Sequence, residues 1–425
     1  MKYALINPPW SFDGSIYFGC REPHLPLEYG YSQALLQQAG HEACIIDGQL
    51  DQLDIAEIRR QVERFRPDFT VVTTAPSYLF WRCAPPELRV PQQTLDAIRN
   101  VAGTLIAVGP HASTTPRATL RKLDCAAVVM GECEEILPRL AGDWSAVPSL
   151  AWRSADGIRV QGSTHSSDME ALPALHWPED TVLGHTHHHH RFEAEPLGPG
   201  AEMEASRGCP YHCTFCAKDN FRDKYRRRSL ATVLAELDGL IGQGVEYVYF
   251  IDEIFLPWRE LLVALADRRV KIGVQTRIDL WNHEMIDLLG AAGCVSIEAG
   301  IESITEEGRQ VLDKKCRLST EELAERLVYA KSRVPFVQAN LLDMKEDNQA
   351  EVERWRQYLI DHGVWSNKPV PLFPYPGSPD YTRRWGNPDE RAWERAHEHY
   401  LRNFDEFSDI QEQRPLPLVE LERAQ

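Results

Sequence analysis

Three cysteines lie in one short stretch of the chain at the spacing C-x3-C-x2-C: Cys209, Cys213 and Cys216. Iron–sulfur clusters are held by closely spaced cysteine thiolates, usually four of them. A tight turn at this spacing brings three thiolates onto three irons of a [4Fe-4S] cluster and leaves the fourth iron open to a small molecule. Three thiolates without a nearby fourth therefore indicate a site that carries out chemistry. The alternatives are a group of buried thiols or a zinc knuckle with His212 as fourth ligand, although zinc usually binds separated pairs of ligands.

The composition of the chain excludes several classes of protein. Its 425 residues suggest two or three domains, and its formal net charge of -17 argues against a nucleic-acid surface, which needs a basic face. No run of 18 apolar residues predicts a transmembrane helix, and the N-terminus lacks the features of a signal peptide. Ten cysteines that include this motif fit a reducing cytoplasm better than a disulfide framework. We therefore expect a cytoplasmic protein that binds neither nucleic acid nor membranes.

The first 140 residues alternate short apolar segments with helical patterns. Strand-like segments occupy residues 3–7, 41–47, 69–74, 105–108 and 126–130. This alternation predicts an α/β domain with a parallel sheet, in which ligands bind beyond the carboxyl ends of the strands. Those ends lie at residues 7–10, 73–81, 109–113 and 131–132.

A second series of strand-like segments fills residues 201–385, at 202–206, 247–251, 272–277, 295–298, 336–343 and 369–373. The cysteine motif directly follows the first of them, at the end of a strand where β/α barrels carry their chemistry. Residues 141–200 are predicted to be a connector with a small hairpin, at 147–153 and 158–160, and a histidine-rich stretch at 185–190. Residues 386–425 are predicted to be a helical tail that covers the open side of the second domain.

The cysteine motif, with Phe215 directly before its third cysteine, resembles that of the radical S-adenosylmethionine (SAM) superfamily. The resemblance implies that Cys209, Cys213 and Cys216 are the catalytic cluster ligands and that the amino and carboxylate groups of SAM chelate the open iron. It also implies reductive cleavage of SAM to a 5′-deoxyadenosyl radical. The fold that the resemblance implies is a partial (β/α)6 barrel, and the strand pattern agrees with it.

The same resemblance suggests which polar residues of the barrel bind SAM: Asp252, Glu253, Gln275, Arg277, Glu298 and Glu302. Asp252 and Glu253 would accept hydrogen bonds from the SAM ammonium group, and Arg277 would pair with its carboxylate. For each charged residue the alternative is a buried structural ion pair within the barrel. The basic run at residues 224–228 either binds an anionic group of the substrate or begins a solvated helix.

Residues 1–140 resemble the Rossmann-like cobalamin-binding (B12-binding) domain that precedes the radical SAM barrel in the cobalamin-dependent branch of the superfamily. The matching pieces, in order, are Asn7-Pro8-Pro9 and the stretches at residues 26–30, 40–42, 108–111 and 130–134. By this resemblance the residues that contact cobalamin are Pro8, Thr74, Ser77, Tyr78, Gly109, His111, Gly131 and Glu132. No Asp-x-His-x-x-Gly motif occurs. We therefore expect a base-off cofactor without a protein histidine on cobalt, and the loop at residues 77–82 near its lower face.

Two histidine features allow more than one interpretation. His111 either hydrogen-bonds cobalamin, through its corrin amides or nucleotide tail, or it caps a helix or satisfies a loop carbonyl. The stretch at 185–190 binds a metal, contacts the substrate, or is a polar loop between domains. Gly109 is predicted to let the backbone approach a large ligand closely.

Together the resemblances imply a metal-binding enzyme of the class B radical SAM methyltransferase type. It would methylate an unactivated carbon of a small-molecule or saccharide-type substrate through methylcobalamin and a 5′-deoxyadenosyl radical. Its cofactors would be a [4Fe-4S] cluster, SAM and cobalamin, and a flavodoxin- or ferredoxin-type protein would supply single electrons. One alternative is a cobalamin-dependent cyclase, rearrangement or oxidation enzyme that transfers no methyl group. Another is a cluster-bearing sensor or binding protein without turnover.

Overall fold

The protein is described by a computed structural model that covers residues 1–17, 19, 21–76, 83–185, 198–221, 224–403 and 414–422. Two seven-stranded sheets organise this part of the chain, one in each half. The predictions for Ser77, Tyr78 and residues 186–190 of the histidine-rich stretch lie outside the described residues.

The N-terminal sheet has the strand order β2-β1-β3-β4-β5-β6-β7. Its strands are β1 (Lys2–Asn7), β2 (Glu42–Asp47), β3 (Phe69–Thr73), β4 (Thr104–Val108), β5 (Ala127–Val129), β6 (Leu150–Ser154) and β7 (Gly157–Gln161). Five helices accompany them: α1 (Leu27–Gln38), α2 (Ile55–Phe65), α3 (Arg89–Ile98), α4 (Pro110–Thr114) and α5 (Pro116–Lys122). Strands β1 to β5 are parallel, as the alternating pattern predicts.

Both faces of this sheet are buried, which explains why its strands are continuously apolar. In β1, Tyr3 and Leu5 belong to the core on one face, whereas Ala4 and Ile6 belong to the core on the other. Helix α2 illustrates the covering layer. Asp54 caps the first turn of α2 in a capping box, and the apolar stripe of the helix buries Ile58 and Val62.

The predicted hairpin in the connector is part of the N-terminal sheet. Strand β6 pairs antiparallel with β5, and β7 pairs antiparallel with β6. The sheet therefore continues beyond residue 140. Helix α6 (Glu179–Gly184) follows before the second sheet begins.

The second sheet contains parallel strands in the sequential order β8-β11-β12-β13-β14-β15, with β16 also paired to β14. Its strands are β8 (Gly200–Met203), β11 (Tyr247–Phe250), β12 (Lys271–Thr276), β13 (Cys294–Glu302), β14 (Phe336–Asp343), β15 (Trp365–Ser366) and β16 (Val370–Pro371). The short strands β9 (Ser206–Arg207) and β10 (Arg226–Arg227) form a separate antiparallel pair. The predicted sixth strand at residues 369–373 is replaced by the two short strands β15 and β16.

Helices connect the successive parallel strands of the second sheet, as expected for βαβ units. They are α7 (Leu230–Gly242), α8 (Arg259–Ala266), α9 (His283–Ala291), α10 (Glu306–Val311), α11 (Thr320–Arg333) and α12 (Gln349–Asp361). Six β/α units in sequential order form the predicted partial barrel. Among the described residues, the two edge strands β8 and β15 do not pair with each other, so the barrel is open between them.

The C-terminal helices are α13 (Pro379–Trp385), α14 (Ala392–Arg402) and α15 (Leu418–Leu421). The prediction that this tail covers the open side of the barrel is wrong for α14. Its residues Trp393, Ala396 and Tyr400, spaced three and four apart, pack in the same core as Leu5 and Val71 of the N-terminal sheet. An apolar helix face is visible in a sequence, but the surface that buries it is not. No helix among the described residues has the length and apolar character that a bilayer crossing requires.

Candidate active site

The cysteine motif forms a loop, residues 208–217, directly after β9. Gly208 has a φ of +81° and turns the chain out of the strand, a conformation that favours glycine. The Cys216 N–H donates a hydrogen bond to the Cys213 carbonyl at 3.2 Å. Cys213 is buried, whereas Cys209 and Cys216 are partly exposed. The strand predicted at 202–206 is divided into the barrel's edge strand β8 and the short strand β9, and the loop follows β9.

Two other segments fix the cysteine loop in place. The Thr214 N–H donates to the Leu312 carbonyl at 3.0 Å, and the Thr214 carbonyl accepts from the Asp380 N–H at 2.8 Å. Just beyond the loop, the Asn220 side chain donates to the Pro376 carbonyl at 2.7 Å. The loop is therefore held by the segment after α10 and by the segment around the start of α13. Phe215, which the resemblance assigns to the site, is partly buried.

Asp252 and Glu253 follow β11 and hydrogen-bond the chain that leads into the cysteine loop. Asp252 accepts from the Ala205 N–H at 2.9 Å and from the Ser206 hydroxyl. Glu253 accepts from the Gly208 N–H at 2.7 Å. Burial raises the pKa of Asp252 to about 8. Both carboxyl groups lie beside the predicted SAM site, and both accept hydrogen bonds from the backbone that leads into the cysteine loop.

Arg277 directly follows β12 and contacts the cysteine loop. Its Nη2 donates to Asp279 at 2.8 Å, and its guanidinium lies 4.1 Å from the ring centroid of Tyr211, between Cys209 and Cys213 in the chain. The side chain is buried, and its Nη1 has no hydrogen-bond partner among the described residues. A buried guanidinium with one unused donor suits a carboxylate ligand, because such pairs are strong and often bidentate.

A row of polar side chains crosses three neighbouring barrel strands. Gln275 of β12 is in register with Glu298 of β13, which is in register with Gln338 of β14. Residues in register share one face of a sheet, and all three are partly exposed while their apolar neighbours along each strand are buried. The Gln338 side-chain amide donates to the Asn340 side chain. This face of the sheet is polar, as a binding site inside the barrel requires.

Glu302, at the end of β13, pairs with Lys314 close to Cys213. The Lys314 ammonium contacts the Glu302 carboxylate and donates to the Gly300 carbonyl at 2.9 Å. Burial raises the pKa of Cys213 to about 11; the charge of Lys314 opposes that shift, and Glu302 adds to it. Sequence reasoning found Glu302 and missed Lys314, which is 12 positions away and follows no periodic pattern.

A buried ion network connects the N-terminal sheet to the cysteine loop. Arg207, two residues before Cys209, donates from Nη1 to Glu132 at 2.8 Å and to Glu134 at 2.7 Å, and its Nη2 contacts Glu204. These four side chains are fully buried. Arg226 also donates to Glu132, at 2.5 Å. Glu132 therefore binds two arginines of the barrel half, although the sequence resemblance predicted contact with cobalamin.

The basic run at 224–228 has a structural role that neither sequence interpretation anticipated. Arg226 joins the ion network and donates to the Ser167 carbonyl at 2.6 Å. Arg228 is buried and pairs with Glu236 of α7 at 2.8 Å.

His185, the first residue of the histidine-rich stretch, is also buried and hydrogen-bonds Glu202 at 2.9 Å.

Gly109 and Gly131 both sit at strand ends of the N-terminal sheet with positive φ, +110° and +86°. A Cβ on Gly109 would lie 2.6 Å from the Thr74 hydroxyl oxygen, and one on Gly131 would lie 2.3 Å from the His165 carbonyl oxygen. Packing against the chain itself therefore requires glycine at both positions. Pro8, at the end of β1, is buried at the same edge.

His111 satisfies a loop carbonyl, one of the interpretations left open by the sequence. Its Nε2 donates to the Pro85 carbonyl at 2.8 Å, and its ring stacks on Trp393 of α14 with 3.9 Å between centroids. Burial lowers the pKa of His111 to about 3, so the ring is neutral.

Among the residues that the structure describes, no group of three or more His, Cys, Asp and Glu side chains is arranged to hold a single metal ion. A [4Fe-4S] cluster makes a different demand, because each of its cysteines binds a different iron atom.

Comparison with known proteins agrees with this architecture. Residues 203–359 match the family model of the radical SAM superfamily. The chain therefore contains a radical SAM domain, preceded by an open α/β domain. Its fold is shared with the radical SAM methyltransferase TsrM from Kitasatospora setae, with a TM-score of 0.70 and 19% identity over 90% of this chain and 76% of that one. It is also shared with the cobalamin-dependent SAM radical enzyme OxsB, with a TM-score of 0.68 and 15% identity over 87% and 53% of the two chains.

Three curated relatives are similar in sequence. An uncharacterized methyltransferase of Pyrococcus horikoshii is 25% identical over 71% of this chain and 66% of its own length. The anaerobic magnesium-protoporphyrin IX monomethyl ester cyclase of Cereibacter sphaeroides is 25% identical over 77% and 55%. The hopanoid C-3 methylase of Methylococcus capsulatus is 27% identical over 81% and 65%. The chain thus spans between about half and two thirds of the length of these relatives.

Proposed function

We propose that this protein is a cobalamin-dependent radical SAM enzyme that methylates an unactivated carbon of a small-molecule or saccharide-type substrate. The observation that carries the proposal is the ion network around Arg207. It joins the carboxyl end of β5, where an open α/β sheet binds its ligand, to the strand that enters the cysteine loop. Two candidate cofactor sites therefore adjoin one another, as transfer between two cofactors and one substrate requires.

The residues of the barrel fit a cluster with bound SAM. Cys209, Cys213 and Cys216 supply three thiolates from one loop, and Nη1 of Arg277, which has no partner in the described part of the chain, supplies a buried donor for a carboxylate. Asp252 and Glu253 hold the backbone before Cys209, so they orient the loop and offer carboxyl groups beside it. When bound, these cofactors would supply a 5′-deoxyadenosyl radical, and cobalamin would supply the methyl group as methylcobalamin.

The edge of the N-terminal sheet at the carboxyl ends of its strands fits a large cofactor whose metal is not bound by a protein histidine. His111, the one histidine among the residues predicted there, uses its Nε2 for the Pro85 carbonyl. Pro8, Thr74, Gly109 and Gly131 line the strand ends of the same edge. These placements support a base-off cobalamin. The polar row through Gln275 and Glu298 supports a polar substrate inside the barrel.

A second candidate function is cobalamin-dependent radical cyclization without methyl transfer. The similarity to the magnesium-protoporphyrin IX monomethyl ester cyclase, over 77% of this chain, favours it. Product mass separates the two functions, because methylation adds one CH2 and cyclization adds none.

The test is incubation of the reconstituted protein with SAM, cobalamin and a chemical reductant, followed by mass spectrometry. The proposal predicts both 5′-deoxyadenosine and S-adenosylhomocysteine. Deoxyadenosine without S-adenosylhomocysteine would favour the cyclase, and the absence of both would exclude either enzyme. The flavodoxin- or ferredoxin-type electron donor and the cytoplasmic location stay predictions.

A further inference from the structure

An aromatic cluster packs against the N-terminal sheet near the carboxyl end of β4. Trp393 of α14 stacks on His111 and lies 6.4 Å from Tyr375, between ring centroids. Tyr375 in turn lies 4.6 Å from Phe373, which lies 5.7 Å from Tyr400 of α14. The cluster therefore joins the segment after β16 and the helix α14 to the edge of the sheet where ligands bind.

Three buried polar atoms associated with this cluster have no hydrogen-bond partner in the described chain: Tyr375 Oη, Trp393 Nε1 and His397 Nε2. Buried side-chain polar atoms nearly always have a partner, so each exception needs an explanation. Trp393 and His397 lie one helical turn apart and therefore on the same side of α14. Three such atoms in one small region indicate a polar ligand.

A nearby tyrosine provides the contrast. The Tyr381 side chain is buried in the same core, yet its hydroxyl accepts a hydrogen bond from Arg395 at 3.0 Å. Among the described residues of this core, Tyr3 Oη at the start of β1 also has no partner, so the cluster is distinguished by holding three such atoms together rather than by one unpaired hydroxyl.

The chemistry of the cluster selects one type of ligand. Its walls are aromatic rings, its unused groups are neutral donors and acceptors, and burial lowers the pKa of His397 to about 4 so that it too is neutral. The described ion pairs of α14, such as Lys122 with Glu394, use residues other than these three. Neutral donors between aromatic rings suit a heteroaromatic ring and sugar hydroxyls better than a free anion.

We propose that Tyr375, Trp393 and His397 form one wall of the pocket for the nucleotide tail of cobalamin, meaning its heteroaromatic base and ribose. This inference rests on the proposed function, because it assigns part of the same cofactor's site. It gives α14 a role in binding as well as packing, and it explains why polar atoms of the C-terminal segments are buried against the N-terminal sheet.

The test compares the binding of cobalamin and cobinamide, which has the corrin ring but lacks the nucleotide tail. Dissociation constants are measured by equilibrium ultrafiltration with absorbance detection for the full chain and for Tyr375→Phe and His397→Leu. Each variant should weaken cobalamin binding by about 3- to 10-fold, the effect of one neutral hydrogen bond, and leave cobinamide binding unchanged. The matched control Tyr381→Phe, which also removes a buried hydroxyl, should change neither constant.

Three outcomes would overturn the inference. If both variants leave cobalamin binding unchanged, or weaken cobalamin and cobinamide equally, the nucleotide tail does not contact this wall, while the proposed function stands. If the full chain binds neither compound, the proposed function fails with it. Two variants on separate segments keep the test decisive if one of them fails to fold.

Discussion

Replacing Arg207 with methionine should destabilise the protein strongly, because Arg207 is the fully buried central cation of an ion network whose three carboxylates are also fully buried. Among the residues that the structure describes, the network holds two arginines, Arg207 and Arg226, against three carboxylates, Glu132, Glu134 and Glu204. The formal charge of these five side chains changes from −1 to −2 when Arg207 is removed, and Glu134 and Glu204 lose their ion pair with Arg207. Removing one partner of a buried ion pair costs about 3–5 kcal/mol, since it leaves uncompensated buried charge. We expect a loss of that size in the free energy of unfolding.

The assay is urea unfolding of the purified protein at fixed pH and salt, followed by circular dichroism and by tryptophan fluorescence. Two probes are needed because a chain with two sheets can unfold in more than one step. Arg268→Met is the matched control. Arg268 also makes a bidentate pair, with Asp238 at 2.7 and 2.9 Å, but Asp238 is largely exposed. Such pairs contribute only ~0.2–1 kcal/mol. If Arg207→Met cost no more than Arg268→Met, the network would not stabilise the contact between the two halves.

Three further predictions concern the cofactors and acid stability. Cys213→Ala should abolish formation of 5′-deoxyadenosine, measured by chromatography, and leave cobalamin binding intact; loss of both would contradict the separation of the two sites. Arg277→Gln should weaken SAM binding to the reconstituted protein by roughly 10- to 150-fold, the effect of a charged hydrogen bond of ~1.5–3 kcal/mol, as measured by equilibrium dialysis. Unchanged affinity would exclude contact with the SAM carboxylate. Because the pKa of His111 falls from 6.5 to about 3 on folding, its contribution to stability is lost as the pH drops below 6.5. Protonation of His111 in the unfolded chain should lower the free energy of unfolding by about 2 kcal/mol between pH 7 and pH 5. The variant His111→Gln should remove that part of the acid sensitivity seen in thermal unfolding. An unaltered pH profile would contradict the buried neutral ring.

Much of the fold could be predicted from the sequence, because burial on both sheet faces leaves continuous apolar strands. The strand predicted at 336–343 coincides with β14, whereas the strand predicted at 202–206 is divided between β8 and the short β9 that leads into the cysteine loop. The short strands β15 and β16 were harder to predict, since each has only two residues and too little pattern to read.

Contacts between distant segments could not be predicted. Glu132 looked like a ligand residue because it follows a glycine at a strand end, but its partners Arg207 and Arg226 are 75 and 94 positions away. Lys314 and Gln338 were missed for different reasons. Lys314 reaches Glu302 through a tertiary contact, whereas Gln338 could have been found from its position in register with Glu298.

The central claim is that two cofactors act at adjoining sites of one chain. It is tested most directly by incubating the protein, reconstituted with cluster and cobalamin, with SAM that carries a trideuterated methyl group and a one-electron reductant. Mass spectrometry of the corrinoid and nucleoside fractions should show both trideuteromethyl cobalamin and 5′-deoxyadenosine, and a Cys213→Ala sample should lose only the deoxyadenosine. Finding neither product in the intact protein, with cluster and cobalamin both bound, would contradict the account.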